Sequence, residues 1–444
     1  MSEAVFDNGE LIHAWARELF PINRSITGDG LRQTLKFISD KVGGMEIHEV
    51  PSGTPAFDWT VPDEWSVTEA YLEDDNGNRI VDFADNNLHL VGYSEPVDCW
   101  LELDELQPHL HSLPEQTLAI PYVTAYYHRT WGFCLTDTQR RQLRPGRYHA
   151  VVRSRIEPGS LSYGELVLPG TERSEILISS YACHPSMANN ELSGPLVATA
   201  LARWLQGMNA RRYTYRFVFL PENIGSNVFL SRNHEYLREH VIAGFIPTCI
   251  GDERTYSMVA SRRGDTFADR VARHVLRHYT PGFQEYSFLW PNRGSDIRNY
   301  CSPGIDLPVV DVMRSKYGTF PEYHTSLDDL DLVTPTGLSG GFAAMRHIVE
   351  VLERNRVYAP AIMGEPRLGP RGLYPKMNQK GDGYGRELTD LMNVIAYADG
   401  EHDLIALADR IGTGAITCAD IADRLVDEGI LTIADQAGHG PSSS

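Results

Sequence analysis

The chain has 444 residues, 42% of them hydrophobic and 22% charged, with a formal net charge of −19. That length and apolar content predict a soluble globular protein of two or three domains, and the negative charge argues against nucleic acid as the main partner, because phosphate binding needs a basic surface. No run approaches the ~18 apolar residues of a membrane span, the first ten residues lack the basic start and apolar core of a signal peptide, and the six cysteines, Cys99 to Cys418, form no short pairing pattern; a cytoplasmic protein with reduced thiols is expected.

Residues 7–42 read as helix, turn, helix. Leu11, Ile12, Trp15, Ala16 and Leu19 have helical spacing, residues 21–28 form a polar turn, and a second helix opens at Gly30. Within the turn, Arg24 and Ser25 admit two readings, a pair facing a ligand carboxylate or a plain turn, and the turn is the simpler. From 46 to 160 short alternating runs broken by Pro, Gly, Asp and Asn predict a β-rich insert, with Asp75-Asn76-Gly77-Asn78 as a hairpin turn. The insert separates a helical segment, 1–45, from an α/β body at 161–357, so that the body is discontinuous. A Gly/Pro-rich linker from Gly364 leads into short helices over 365–436, one of which ends at Gly429 before an apolar pair, the pattern of a winged helix-turn-helix. Asp420, Asp423, Asp427 and Glu428 oppose only Arg424 on its recognition-position helix, which favours an interaction or packing module over a DNA reader. Residues 437–444 are expected to be a disordered tail.

Chemistry concentrates at the ends of the body's strands. The apolar run Glu175–Ala182 leads to Cys183-His184-Pro185-Ser186 and then to Asn190-Glu191-Leu192-Ser193-Gly194, where a helix begins. Residues 216–220 lead to Pro221-Glu222-Asn223, residues 244–250 to Gly251-Asp252, and residues 305–310 on towards Tyr323-His324-Thr325. In an open α/β sheet ligands bind outside the carboxyl ends of the strands, and imidazoles plus carboxylates form a zinc ligand set. Most of the sixteen histidines must be ordinary core or surface groups; His184 and His324 differ in their company, and Asp328 and Asp329 are placed to orient the second nitrogen of His324. Cys183 is read as packing. Glu222 is the candidate general base. Arg293, Arg314 and Lys316 offer cations for a substrate carboxylate, and Tyr317 a donor for an oxyanion.

The order of strand-His184, Ser193-Gly194-helix, Pro221-Glu222, Gly251-Asp252, Gly294-Ser295-Asp296 and Tyr323-His324-Thr325 resembles the zinc aminopeptidase superfamily, and within it the bacterial aminopeptidase-like subgroup with a β-rich insert and a winged-helix C-terminus. The resemblance covers nearly the whole chain. It implies an α/β fold with a mixed, parallel-centred sheet flanked by helices and zinc at the strand ends. By position it makes His184, His324 and Asp252 metal ligands, Glu222 the base, and Asp296 a residue behind the ligands. Three positions depart from the two-zinc pattern, with Ser186, Asn190 and Asn223 standing where carboxylates are expected. One zinc ion is therefore expected, held by His184, Glu191 and His324, with Asp252 completing the shell or orienting a ligand. The implied activity is hydrolysis of an amide bond in a small peptide, an aminoacyl conjugate or an N-acyl amino compound. Two alternatives stay open, an amide hydrolase or deacetylase acting on an amino sugar or biosynthetic intermediate, and a degenerate zinc-binding sensor; a homo-oligomer also stays open.

Overall fold

A computed structural model describes residues 8–126, 128–373 and 385–434; the expected 437–444 tail lies outside them. The chain divides into two compact units, Met1–Asp269 with Gln284–Met345, and Arg270–Phe283 with Arg346–Ser444.

The first unit is built on an eight-stranded mixed sheet in the spatial order Glu46–Pro51, Ser160–Leu168, Thr214–Leu220, Glu175–Tyr181, Val241–Pro247, Val309–Met313, Ser257–Val259, Gln284–Tyr286. The strands from Thr214–Leu220 to Val309–Met313 run parallel, and antiparallel pairing appears only towards the two edges. Every residue of Glu175–Tyr181 is buried, as expected for a parallel strand covered on both faces. The helix Gly194–Gln206 returns across the sheet with Leu196, Val197, Leu201 and Leu205 buried; full burial of each such side chain stabilises by about 1.5–3 kcal/mol. The chain crosses from Glu175–Tyr181 to Thr214–Leu220 on one side and then to Val241–Pro247 on the other, so the order reverses around the strand that precedes His184. That is the position where a doubly wound sheet leaves a crevice.

The insert is a four-stranded antiparallel sheet in the order Arg79–Asp82, Glu64–Asp74, Arg147–Glu157, Val97–Glu102. Its tight turn holds Gly77 at φ 80°, a left-handed conformation that glycine adopts without a Cβ penalty. The strand Glu46–Pro51, assigned to the insert from its alternating pattern, pairs instead with Ser160–Leu168 in the central sheet. Alternation reports one buried face and not which sheet supplies it.

In the second unit, Arg386–Tyr397, Leu404–Ile411 and Ala415–Asp427 are helices, and Tyr358–Pro360 pairs antiparallel with Leu431–Ile433 as the wing. The wing's first strand thus lies before the linker, where a three-residue strand leaves too little pattern to read. On Ala415–Asp427, Asp420 and Asp423 bind the Arg354 guanidinium at 2.6 and 3.0 Å, and Tyr358 donates to Asp423 at 2.8 Å.

Candidate metal and catalytic site

Strand register brings the first two groups together. Tyr181 stands opposite Leu220 in the parallel pair, so His184, three residues beyond one strand, and Glu222, two beyond the other, emerge side by side. His184 Nε2 lies 3.8 Å from Glu222 Oε2.

Glu191 closes on His184 from a π-helical turn, Ala188–Ser193, a wide turn of the kind that recurs at functional sites. It has no solvent exposure. Its Oε1 meets His184 Nδ1, and its Oε2 accepts the backbone N–H groups of Cys183 and His184, the latter at 2.9 Å. Asp328 holds this turn, accepting the N–H of Asn189 at 2.6 Å and of Asn190 at 3.0 Å while its own carbonyl accepts from Ala188 at 2.9 Å. Burial raises the Asp328 carboxyl to about 7, against the opposing pull of the Asn189 and Asn190 N–H groups. The expectation that Asp328 orients His324 is thereby corrected, because its oxygens are spent on the turn that carries Glu191.

His324 adopts φ 57°, an uncommon left-handed conformation for a residue other than glycine. The insert clamps it there: Tyr122 N–H donates to the His324 carbonyl at 2.9 Å, and Ile120 and Ser326 exchange bonds at 2.9 and 3.0 Å. Its ring centroid stands 5.2 Å from that of His184, and Tyr122 stands nearly perpendicular to both imidazoles, with centroids 4.5 Å from His184 and 5.2 Å from His324. His324 Nε2 is buried without a partner among the described residues. Burial depresses the His324 imidazole to about 4, and burial, then His324 and Arg24, hold His184 well below its ordinary range. Both rings are neutral at pH 7, the form that offers a lone pair.

Glu222 leads into a strained turn. Asn223 sits at φ 63° and ψ −69°, and Ile224 N–H donates to the Glu222 carbonyl at 2.8 Å, a γ-turn of the rare positive-φ kind. Asp296 holds it, accepting Asn223 N–H at 2.7 Å and Ser226 Oγ at 2.8 Å, and Arg298 Nε donates to Asn223 Oδ1 at 2.8 Å. Burial, reinforced by the nearby charges of Asp296 and Asp311 and opposed by Arg298, raises the Glu222 carboxyl to about 8. Burial likewise raises Asp296 to about 6, and its Oδ2 has no partner among the described residues. Asp311 was not visible as a site residue in the sequence, lying inside a strand; it accepts Ser295 Oγ at 2.9 Å and Tyr317 Oη at 2.9 Å, and burial raises it to about 7.

The other candidates fall elsewhere. Asp252 is buried, but its oxygens already accept from Asn189 Nδ2 at 3.1 Å, Ser315 N at 2.9 Å, Ser315 Oγ at 2.9 Å and Arg254 N at 2.9 Å. Arg314 is corrected from a substrate contact to a loop support: Nε donates to the Thr255 carbonyl at 2.7 Å and the guanidinium lies 4.1 Å from the Tyr256 ring centre. Tyr317 is corrected too, its buried hydroxyl lying 2.6 Å from the Asn292 carbonyl and 2.9 Å from Asp311 Oδ2 while accepting Gly294 N–H at 2.9 Å, which leaves nothing for an oxyanion. Lys316 Nζ donates to the Tyr317 carbonyl at 3.1 Å. Arg293 stacks over Phe288, 5.3 Å from the ring centre. The Cys183 thiol accepts the Glu222 N–H at 3.3 Å, and burial holds it well above its usual range, in the protonated form.

The donors fit zinc. The ligand atoms of Cys183, His184 and Glu191 lie within 4.8 Å of one another, the His324 ring centre stands 5.2 Å from that of His184, and an orphaned ring nitrogen on His324 is what a missing ligand bond leaves behind. A second His/Asp cluster, His274, His278 and Asp409, lies wholly in the second unit. There His274 Nε2 accepts Ala415 N–H at 2.8 Å and Nδ1 meets Asp409 at 2.7 Å, so both nitrogens are already used.

The fold is that of the zinc aminopeptidases. The solved structure of BSAP, a zinc aminopeptidase from Bacillus subtilis, matches with a TM-score of 0.54 over 77% of this chain and 93% of that one at 10% identity, and a peptidase M28 precursor from Shewanella amazonensis SB2B with 0.52 over 78% and 96% at 11% identity. The chain belongs to the family defined by the domain of unknown function DUF4910, which matches residues 13–355, and a winged helix-turn-helix matches residues 356–433. A protein from Clostridium acetobutylicum, provisionally named a polysaccharide biosynthesis protein with an aminopeptidase-like domain, is 40% identical over 410 residues, 91% of this chain and 92% of that one. A crystal structure from the same organism, provisionally described as a peptidase, matches with a TM-score of 0.88 over 96% of each chain at 39% identity. Among the described residues no helix is long and apolar enough to cross a membrane, and all six cysteines are free.

Proposed function

We propose that the chain is a zinc-dependent amide hydrolase in which His184, Glu191 and His324 hold one zinc ion and Glu222 is the general base. The observation that carries this reading is the meeting, at one crevice of the sheet, of two neutral imidazoles and a buried carboxylate with a second carboxylate 3.8 Å from His184 Nε2. When bound, the ion would polarise the scissile carbonyl and supply Lewis acidity towards water. Glu222, whose carboxyl a neighbouring dication would return towards the ionised form, takes the proton of the attacking water on its carboxylate and hands it to the leaving nitrogen. The γ-turn at Asn223, gripped by Asp296 and Arg298, fixes the direction in which that carboxylate points. Asp252 orients Asn189 next to the Glu191 turn and Asp296 steadies Glu222, both as positioning residues. Tyr122 and the insert loop cover the histidines and restrict water.

The substrate class is a small peptide, an aminoacyl conjugate or an N-acyl amino compound, handled in the cytoplasm. The name of the Clostridium relative favours one second reading, an amide on an amino sugar or polysaccharide precursor. Zinc-loaded protein assayed on aminoacyl-anilides, dipeptides and N-acetylated amino sugars tests both. Glu222→Gln should lower kcat by about 10²–10⁴-fold with zinc content unchanged; equal turnover by wild type and variant removes Glu222 from the reaction.

A further inference from the structure

Arg24, in the polar turn before the second helix, has no solvent exposure. Its Nε donates to the His184 carbonyl at 3.1 Å and its Nη1 to the Leu19 carbonyl at 2.7 Å, whereas Nη2 is buried without a partner among the described residues. A buried guanidinium with an open N–H is costly unless it meets an acceptor. That guanidinium lines a narrow pocket with Ser25, Asn87, Tyr122, Tyr126 and Pro185. Tyr122 and Tyr126 join hydroxyls at 2.8 Å, and Tyr122 is the same ring that lies against His184 and His324. The pocket therefore shares a wall with the proposed metal site, and Pro185 follows the ligand residue directly. About 10 Å³ of it admits a water-sized group, room for a single carboxylate oxygen and not for a ring, and its surroundings are polar groups and aromatic rings with one cation.

We propose that this pocket is a substrate subsite for a carboxylate, with Arg24 Nη2 donating to one of its oxygens. The molecule hydrolysed is then an anionic amide, an N-acyl or aminoacyl compound whose free carboxylate lies close to the bond that breaks; this assignment of the reacting bond rests on the function proposed above, whereas the anion subsite does not. An Arg donor to a carboxylate is a strong, charge-assisted contact. It also accounts for an arginine in a turn where a neutral residue would serve the two backbone carbonyls at less cost.

The test uses the full-length chain stripped of metal, so that no carboxylate can bind through zinc. Equilibrium titration with N-acetylglycine and with N-acetylglycinamide, two probes that differ only in the charge, should show the acid binding about ten- to hundredfold more tightly. Arg24→Gln should abolish that preference, and Arg24→Lys should keep part of it. Equal binding of acid and amide by the wild type, or no binding of either, overturns the subsite, and this arm needs no variant to fold. A separate measurement of zinc uptake by the same preparation tells a failure of the subsite from a failure of the metal site.

Discussion

Asp328 offers the sharpest mutational test of how the site is held. Asp328→Ala removes the acceptors of two backbone donors, Asn189 N–H at 2.6 Å and Asn190 N–H at 3.0 Å, in a place with no solvent exposure. Each buried donor left unpaired costs about 1–3 kcal/mol, so the pair predicts a loss of about 2–6 kcal/mol, towards the lower end if water enters the space left by the carboxylate. Because that turn carries Glu191, the damage should reach the metal, with zinc affinity falling about 10–100-fold as for other groups that orient ligands. Asp328→Asn should be milder, since its amide oxygen still accepts one of the two N–H groups. Urea unfolding in chelator reads the first effect and competition against a zinc-binding dye the second. Wild-type zinc affinity in a folded Asp328→Ala protein would refute the argument that this carboxylate organises the site.

Two further outcomes follow from the same structure. Burial raises Glu222 to about 8, so in the metal-free folded chain this carboxyl keeps a proton that the unfolded chain has lost, and its own contribution to stability falls as pH rises from the ordinary carboxyl range of about 4 to about 8, whereas the depressed His184 and His324 act in the opposite sense below about pH 6.5; urea midpoints in chelator at pH 5, 6.5 and 8 for wild type and Glu222→Gln isolate the carboxyl, the variant should gain stability relative to wild type as pH rises, and parallel pH dependences contradict it. His274→Ala should destabilise the chain by about 1–3 kcal/mol by stranding the Ala415 N–H, yet leave zinc content unchanged; a parallel loss of zinc would place the ion in the second unit.

The juxtaposition of His184 with Glu222 was legible because strand ends in an α/β sheet converge by construction. His184, Glu191 and Glu222 could be picked out as ionisable groups just beyond apolar runs and His324 as a histidine in a polar loop beside carboxylates, and the register of Tyr181 against Leu220 then puts two of them side by side. What the sequence hides is which polar atoms are already spent. Arg314, Tyr317 and Asp252 occupy the same kind of position, but their donors and acceptors are used up within the protein. Arg24 is the converse case: a turn residue by pattern, it is buried through a bond to His184, 160 positions away, and local patterning cannot carry a contact of that range. Asn190 and Asn223 read as lost carboxylates, whereas Asn223 is the apex of the turn that aims Glu222.

The central claim is that His184, Glu191 and His324 grip a single zinc ion. Elemental analysis of the purified chain beside His324→Ala, with circular dichroism to confirm that both are folded, addresses it most directly. One equivalent of zinc per wild-type chain and a loss of most of it in His324→Ala is the predicted result. A wild type that takes up no zinc, or a folded variant that retains the full equivalent, would contradict it.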